Sequence, residues 1–366
     1  MSRGATQYAP LPSPFSLYAG GTLDGGHVAF ETFGSPEAAR EHTVLLFTGL
    51  SASAHAASSP LDPTPGWWES IVGPGRAIDT QKYFVICVNS LGSCFGSSGP
   101  TTNDPQGRRW GRRFPTISVE DIASGGHQVL RHLGIERVHS VVGASLGGMT
   151  VLAFVARHPG IAQHIVSISG TMAASTLAIG LRAVQREAIE RDPHFLHGDY
   201  EPAQPPREGL RLARMLGTLT YRAPAGLEAR FGRERSEGRF RIERYLDTQG
   251  ERFANSFDAN AYLHLSRAMD RFDLAAHGEP TTVFAAAGLQ SALVIGVEQD
   301  LLFSIAEQAK IAEHAQRAGI PTRLVRVTSD DGHDAFLLDL APFDTALRHH
   351  FHLLDAHSTS IKLRSA

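Results

Sequence analysis

A tight glycine-serine-glycine turn, set between a β-branched run and an apolar helical stretch, constrains the fold of this chain most. The run Val141-Val142 leads into Gly143-Ala144-Ser145-Leu146-Gly147. In a strand-to-helix turn of this kind the serine backbone is strained, and small residues must flank it because neighbouring backbone approaches closely. The spacing predicts a strand-turn-helix unit with Ser145 as a candidate nucleophile. A glycine-rich turn with an incidental serine is the alternative.

Short β-rich runs alternate with longer helical stretches along the chain. The runs are residues 43–47, 83–89, 139–142, 164–168, 292–297 and 322–327. Several are apolar nearly throughout, as in central parallel strands that helices cover on both faces. The pattern therefore predicts an α/β fold with a mostly parallel sheet.

The rhythm changes between Thr171 and Gly288, where helical patterning and many charges replace the strand-like runs. We expect an inserted helical lid at residues 172–285, over the carboxyl ends of the strands, and an α/β core at residues 1–171 and 286–366. A separate helical domain that takes no part in the site is the alternative.

Composition excludes several classes of protein. The net charge of −3 gives no global field for nucleic acid or an anionic membrane, so small-molecule chemistry is expected. The two cysteines, Cys87 and Cys94, lack metal-ligand spacing, which indicates a reducing compartment and no structural zinc. No apolar run is long enough to span a membrane, and no signal peptide is recognisable. We expect a cytoplasmic protein.

A serine nucleophile needs a base and an orienting acid, which follow later in the chain in folds with this turn. Asp300 follows the run at 292–297, and Glu298 is a rival carboxylate. Among 18 histidines, His333 alone follows the last strand-like run on a loop that opens a helix. The order predicts the catalytic triad Ser145, Asp300 and His333, with no metal.

The charge that develops on a tetrahedral intermediate needs two backbone N–H donors. One comes from the residue after the nucleophile, Leu146, and the other from the loop after an early strand, where Leu50 is the natural donor. A simple connector at that loop is the alternative.

Several blocks together resemble the homoserine/serine O-acyltransferase family with the α/β-hydrolase fold, over about residues 18–353. The most specific are Asn89-Ser90-Leu91-Gly92 with Gly96-Ser97-Ser98-Gly99-Pro100, and Gly332-His333-Asp334-Ala335-Phe336. Further similar blocks are the turn at 143–149 and residues 186–193 and 209–221.

The resemblance implies a ping-pong reaction with acyl-CoA as co-substrate and no bound cofactor. Ser145 would take the acyl group, and an amino-acid hydroxyl would then attack the acyl-serine. By similarity, Arg214, Tyr221 and Asp334 would hold the amino acid, and the protein would be a homodimer through the lid. Without the resemblance, Arg214 could equally be a solvated residue of the lid, and Asp334 could equally be a helix N-cap.

Two departures from the family pattern bear on the substrates. The loop Phe47-Thr48-Gly49-Leu50-Ser51 differs from that of members using homoserine and looks more like members that acylate serine. Leu302 stands where homoserine-succinylating members carry an arginine, but Arg182 and Arg186 offer cations in another geometry.

The sequence therefore favours succinyl transfer from succinyl-CoA to L-serine, serving cysteine biosynthesis. The alternatives are an L-homoserine O-acetyltransferase or O-succinyltransferase of methionine biosynthesis, a serine esterase, and a non-enzymatic binding protein on the same scaffold.

Overall fold

A central sheet organises the protein in a computed structural model that describes residues 5–38 and 42–364. Parts of the expected α/β core at residues 1–4, 39–41 and 365–366 lie outside the described residues. In the described chain the strands are β1 (Gln7–Pro10), β2 (Phe15–Ser16), β3 (Thr22–Leu23), β4 (His27–Phe33), β5 (Thr43–Phe47), β6 (Val72–Gly73), β7 (Ile78–Asp79), β8 (Phe84–Val88), β9 (Val138–Ala144), β10 (Ala162–Ile168), β11 (Arg235–Ser236), β12 (Arg239–Phe240), β13 (Ser291–Val297) and β14 (Thr322–Val327).

Eight of these strands form one mostly parallel sheet, in the order β1-β4-β8-β5-β9-β10-β13-β14. The six strands from β8 to β14 are parallel to their neighbours, and β4 runs antiparallel to both β1 and β8. All six runs expected from the sequence are strands of this sheet. Strands β1 and β4 extend the sheet at one edge and were not expected from the sequence.

Helices follow the strands. They are α1 (Val119–His132), α2 (Leu146–Arg157), α3 (Thr176–Glu190), α4 (Arg207–Tyr221), α5 (Pro224–Phe231), α6 (Arg241–Ser256), α7 (Ala259–Arg271), α8 (Pro280–Ala286), α9 (Ile305–Arg317), α10 (Ala335–Leu338) and α11 (Leu340–Arg364). Side-chain caps define several starts: Ser118 and Ser304 form capping boxes for α1 and α9, and Asp258 caps α7.

The core has two layers, one on each face of the sheet. Helices α1, α2 and α9 pack with one face, which includes Leu45 and Val141, and α11 packs with the other, which includes Leu46 and Val142. Strands β5, β8 and β9 are buried at every position because both faces are covered. The α/β prediction is confirmed.

Helices α3 to α8 and the short hairpin β11-β12 fill the chain between β10 and β13. Helix α3 packs against both α4 and α7, and α4 packs against α6. Residues of α3, α4 and α7 line a cavity that also contains Ser145.

Candidate active site

Ser145 occupies a strained turn between β9 and α2. Its backbone has φ 57° and ψ −119°, a left-handed conformation that costs a residue with a side chain about 1–3 kcal/mol. The Ser145 N–H donates a hydrogen bond of 2.9 Å to the carbonyl of Ile168 on the neighbouring strand β10. This bond fixes the turn at the carboxyl end of the sheet.

Close backbone approach explains the two glycines that flank the serine. A Cβ atom on Gly143 would lie 2.2 Å from the carbonyl oxygen of Gly147, and one on Gly147 would lie 2.4 Å from that of Phe47. Neither position has room for a side chain. The motif therefore reflects a packing requirement that also holds the end of β5 against the turn.

Ser145, His333 and Asp300 form a continuous hydrogen-bonded chain. The Ser145 hydroxyl lies 2.8 Å from Nε2 of His333, and Nδ1 of His333 lies 2.7 Å from Oδ2 of Asp300. Because the carboxylate can only accept, Nδ1 carries the proton and Nε2 is free to accept the serine proton. All three residues are buried.

The Asp300 carboxylate is fixed by the loop that follows β13. Its Oδ1 accepts hydrogen bonds of 2.9 Å from the backbone N–H groups of Leu302 and Phe303. The rival carboxylate, Glu298, instead pairs with Arg326 at the surface, with 3.2 Å between Oε1 and Nη1. The structure thus brings Asp300, and not Glu298, to the histidine.

The charge of Asp300 also sets the protonation of His333. Burial acts to lower the pKa of His333, but the negative charge of Asp300 and its hydrogen bond outweigh burial and raise the pKa above its ordinary value. The imidazolium formed when His333 accepts a proton is therefore stabilised. This arrangement suits a general base that later returns the proton.

The backbone groups expected to hold an oxyanion lie beside the serine. Leu146 is the first residue of α2, where an α-helix leaves its N–H groups without intrahelical acceptors. Leu50 lies on the loop after β5 and, like Ser145, lines the cavity. Their assignment as the oxyanion hole stays a prediction.

Two opposite charges line the same cavity. Arg214 of α4 stacks over the rings of Tyr221 and Phe253, with its guanidinium carbon 5.3 Å and 5.0 Å from the ring centroids. Within residues 5–38 and 42–364, no carboxylate lies within ion-pair distance of Arg214. Aromatic rings therefore orient this cation.

Asp334 follows the histidine directly and also lines the cavity. It occupies the N-cap position of α10, but its side chain makes no capping hydrogen bond, so the N-cap alternative does not explain the carboxylate. Burial raises the pKa of Asp334, while the charges of Arg214, His333 and Arg222 act to lower it. Tyr221 lies between these groups, its ring 5.8 Å from that of His333.

Comparison with known proteins identifies the family. The family described as alpha/beta hydrolase fold matches residues 42–340. The chain is 46% identical over 355 residues to an L-serine/homoserine O-acetyltransferase of Streptomyces lavendulae, covering 93% of this chain and 95% of that protein. The chain belongs to the serine/homoserine O-acyltransferase family of the α/β-hydrolase fold.

A second relative and a solved structure agree with this assignment. The acyltransferase is 45% identical over 352 residues to a serine O-succinyltransferase of Litchfieldella anticariensis, covering 93% of this chain and 96% of that protein. A crystal structure of homoserine O-acetyltransferase from Bacillus anthracis superposes with a TM-score of 0.86 at 24% identity, covering 94% of this chain and 96% of that chain. The latter likeness concerns the fold alone.

The two arginines expected to select the acyl group have different surroundings. Nε of Arg182 lies 2.5 Å from Oδ1 of Asp270, and Nη1 of Arg186 lies 2.6 Å from Oδ2 of the same carboxylate. Arg182 lines the cavity, whereas Arg186 lies behind it and also donates to Ser266. Of the two, only Arg182 is placed to meet a bound molecule directly.

Sequence reasoning missed several cavity residues of the acyltransferase, including Gln185, Tyr262 and Trp67. A signal for Gln185 exists: the buried positions of α3 are 178, 182, 185 and 189, one face of an amphipathic helix. A glutamine on such a face needs polar partners, so it marks either a polar network or a binding site.

The described part of the chain holds no group of three or more histidine, cysteine or acidic side chains arranged to bind a metal ion. Within that same part, no helix combines the length and apolar content needed to cross a membrane.

Proposed function

We propose that this acyltransferase moves a succinyl group from succinyl-CoA to the hydroxyl of L-serine, through an acyl-serine intermediate. The observation that carries the proposal is the Ser145–His333–Asp300 chain, which opens into a cavity containing the opposite charges of Arg214 and Asp334. An α-amino acid carries the complementary charges, a carboxylate for Arg214 and an ammonium group for Asp334. A nucleophile alone would serve a hydrolase as well, but the charge pair matches an amino-acid acceptor.

In the first half-reaction, His333 Nε2 takes the proton of Ser145 as the serine oxygen attacks the thioester carbonyl. The N–H groups of Leu146 and Leu50 donate to the developing oxyanion. As the tetrahedral intermediate collapses, the carbon–sulfur bond breaks, His333 gives its proton to the sulfur, and CoA leaves. The succinyl group stays on Ser145 as an ester.

In the second half-reaction, His333 takes the proton of the acceptor hydroxyl, and the acceptor oxygen attacks the ester carbonyl. Collapse breaks the bond to the Ser145 oxygen, which recovers its proton from His333. Water competes with the acceptor at this stage. Helices α3, α4 and α7, acting as a lid, would limit access of water to the ester.

The acceptor's charges determine its orientation. The Arg214 guanidinium would bind the amino-acid carboxylate and Asp334 its ammonium group, with Tyr221 packed between them and His333. Desolvation inside the cavity strengthens both ion pairs. With both ends held, the short side chain of serine would bring its hydroxyl to the acyl ester.

A charge count supports a dicarboxylic acyl group. Two arginines, Arg182 and Arg186, share the single carboxylate of Asp270, which leaves one positive charge over. Buried unpaired charge is costly, so a second anion at this point would be stabilising. The distal carboxylate of a succinyl group supplies one, whereas an acetyl group does not.

The names of the relatives support serine as the acceptor more strongly than they support succinyl as the acyl group. One is a serine O-succinyltransferase and the other an L-serine/homoserine O-acetyltransferase, so both act on serine by name but differ in acyl group. L-homoserine as acceptor and acetyl-CoA as donor are therefore the alternatives to test. A role in cysteine biosynthesis follows from a serine acceptor.

We also propose a cytoplasmic homodimer. Cys87 and Cys94 are both free thiols, as in a reducing compartment. Helix α3 exposes Leu177 and Val184 seven residues apart, and α4 exposes Leu212 and Leu219 with the same spacing. Such apolar rows would be buried by a second copy of the lid. Light scattering of Leu177→Glu/Val184→Glu is expected to show a monomer where the wild type is a dimer; a monomeric wild type would overturn the proposal.

The test of function is a matrix of succinyl-CoA and acetyl-CoA against L-serine and L-homoserine, with kcat/KM read from thiol release. We expect the highest value for succinyl-CoA with L-serine, and thiol release that depends on the acceptor. Release at the same rate with no amino acid would identify an esterase-type hydrolase instead. Mass spectrometry after mixing with succinyl-CoA alone should show one succinyl group on the peptide containing Ser145, and none in Ser145→Ala.

A further inference from the structure

Gln185 is a buried glutamine that the reaction described above does not use. It lies on α3, three residues after Arg182, and both side chains line the cavity that contains Ser145. Gln185 is 3% exposed. An amide this deeply buried needs hydrogen-bond partners for both its oxygen and its nitrogen.

Among the described residues, the amide oxygen of Gln185 has a hydrogen-bond partner and its nitrogen does not. The Tyr262 hydroxyl, from α7, donates to it across 2.7 Å. Burial raises the pKa of Tyr262, so the phenol stays protonated and acts as a donor. Within the described ranges 5–38 and 42–364, no residue accepts a hydrogen bond from the amide nitrogen. Tyr262 thus fixes the amide with its two N–H groups available.

Arg182 also has an unpaired hydrogen-bond donor. Its Nε donates to Asp270, but its Nη2 is buried and, in the part of the chain that the structure describes, has no hydrogen-bond partner. One turn of α3 therefore carries two sets of N–H donors, one of them charged, that no acceptor in the described residues satisfies. A carboxylate, with two oxygens and one negative charge, satisfies both.

We propose that Gln185 and Arg182 together bind the distal carboxylate of the acyl group, and that Gln185 is a specificity-determining residue for succinyl over acetyl donors. This inference rests on the succinyl transfer proposed above. Leu181, Met269 and Leu302 line the same cavity and would contact the two methylene groups that separate the distal carboxylate from the ester.

The acceptor's carboxylate is a poorer match for the same donors. Arg214 lies on another helix, α4, stacked on Tyr221 beside Asp334, so one amino acid satisfies that pair of charges by itself. The one carboxylate paired with Arg182 in the described residues, Asp270, is already shared with Arg186, so it offers no free charge to an ammonium group. A group with a carboxylate and no ammonium therefore fits the α3 donors.

Gln185→Glu is the sharpest test because it keeps the shape of the side chain and the acceptor for Tyr262. It replaces the free N–H donors with a negative charge beside Arg182. We expect kcat/KM for succinyl-CoA to fall at least about tenfold, the effect of losing one hydrogen bond to a charged group, while acetyl-CoA changes less than about twofold. Tyr262→Phe removes the hydrogen bond that fixes the Gln185 amide, and it should lower the succinyl preference less than Gln185→Glu does. Glu187→Gln, on the exposed face of the same helix, should change neither.

The outcomes separate the two proposals. A wild-type preference for succinyl-CoA with an unchanged succinyl-to-acetyl ratio in Gln185→Glu overturns the role of Gln185 alone. A higher KM for L-serine with that ratio unchanged assigns the amide to the acceptor and also overturns it. A wild-type enzyme that does not use succinyl-CoA overturns both. The spectrum of circular dichroism of each variant confirms folding before the kinetics are compared.

Discussion

The Arg222 guanidinium joins Asp334 to the end of helix α4. Its Nη2 lies 3.7 Å from Oδ2 of Asp334. The same nitrogen donates a hydrogen bond of 3.2 Å to the Tyr245 hydroxyl. Its Nη1 pairs with Asp331. Because Arg222 follows Tyr221 directly, one short segment orients both the aromatic ring and the carboxylate proposed to hold the acceptor.

Arg222 should therefore affect acceptor binding without touching the acceptor. We expect Arg222→Met to raise the KM for L-serine about tenfold, or about 1.4 kcal/mol, because Asp334 loses one of the charges that keep it ionised. The acidic limb of the pH profile of kcat/KM for serine should move to higher pH. Arg222→Lys keeps a positive charge and should raise the KM for L-serine less than Arg222→Met does. Arg233→Met, on the exposed α5–β11 turn, should leave the KM unchanged. An unshifted acidic limb would contradict this role.

Replacing Ser145 should separate chemistry from strain. Ser145→Ala and Ser145→Gly both remove the nucleophile, so neither should form an acyl-enzyme. Glycine tolerates the φ of 57° without a steric penalty, so Ser145→Gly should be more stable than Ser145→Ala by about 1 kcal/mol in urea unfolding. Equal stabilities would show that the turn is not strained for a residue with a Cβ atom.

The pH dependence of acylation should follow His333. The histidine must be neutral to accept the serine proton, and its pKa is raised by Asp300, so the single-turnover rate of CoA release should rise with pH through a midpoint above 6.5. Asp300→Asn removes the charge that raises the pKa, so the midpoint should move to lower pH. The rate should also fall by roughly 10⁴, as when a triad acid no longer fixes the histidine tautomer. A midpoint that stays in place in Asp300→Asn would count against this account.

Three buried histidines should make the protein acid-sensitive: His139 and His164, at the amino ends of β9 and β10, and His350 of α11. Burial lowers the pKa of His139 to about 3 and those of His164 and His350 to about 4. Between these values and the ordinary 6.5, the unfolded chain binds protons that the folded protein does not. Their contribution to stability is therefore complete above pH 6.5 and is lost as the pH falls below it.

We expect these three histidines to lower the free energy of unfolding by about 4 kcal/mol between pH 7.5 and 5.5, about 1.4 kcal/mol for each. His350→Phe removes one titrating group, so its free energy of unfolding should fall by about 1.4 kcal/mol less than that of the wild type over this range. Urea unfolding at each pH measures the difference in the free energy of unfolding between the wild type and His350→Phe. The titration of the carboxylates that both proteins share cancels in this difference. Parallel stability curves for the two proteins would rule out this contribution from His350.

The local elements of this protein could be predicted from the sequence because their causes are local. The run at 139–142, the two glycines and Ser145 define a turn that only one backbone geometry satisfies. Asp300 and His333 could be named because parallel strands end at one edge of the sheet, so loops after separate strands meet there. Strands β1 and β4 were missed because they pair antiparallel, outside the regular alternation of strands and helices.

The polar network of the lid was decided by tertiary structure. Arg182 and Arg186 are four residues apart and look equivalent in the sequence, and both pair with Asp270 from α7. Yet Arg186 lies behind the cavity, whereas Arg182 lines it and its Nη2 has no partner among the described residues. The orientation of Gln185 depends on Tyr262, 77 residues away. A helix pattern shows which face is buried, but the partner that meets each polar group depends on how three helices pack, and no spacing within one helix contains that information.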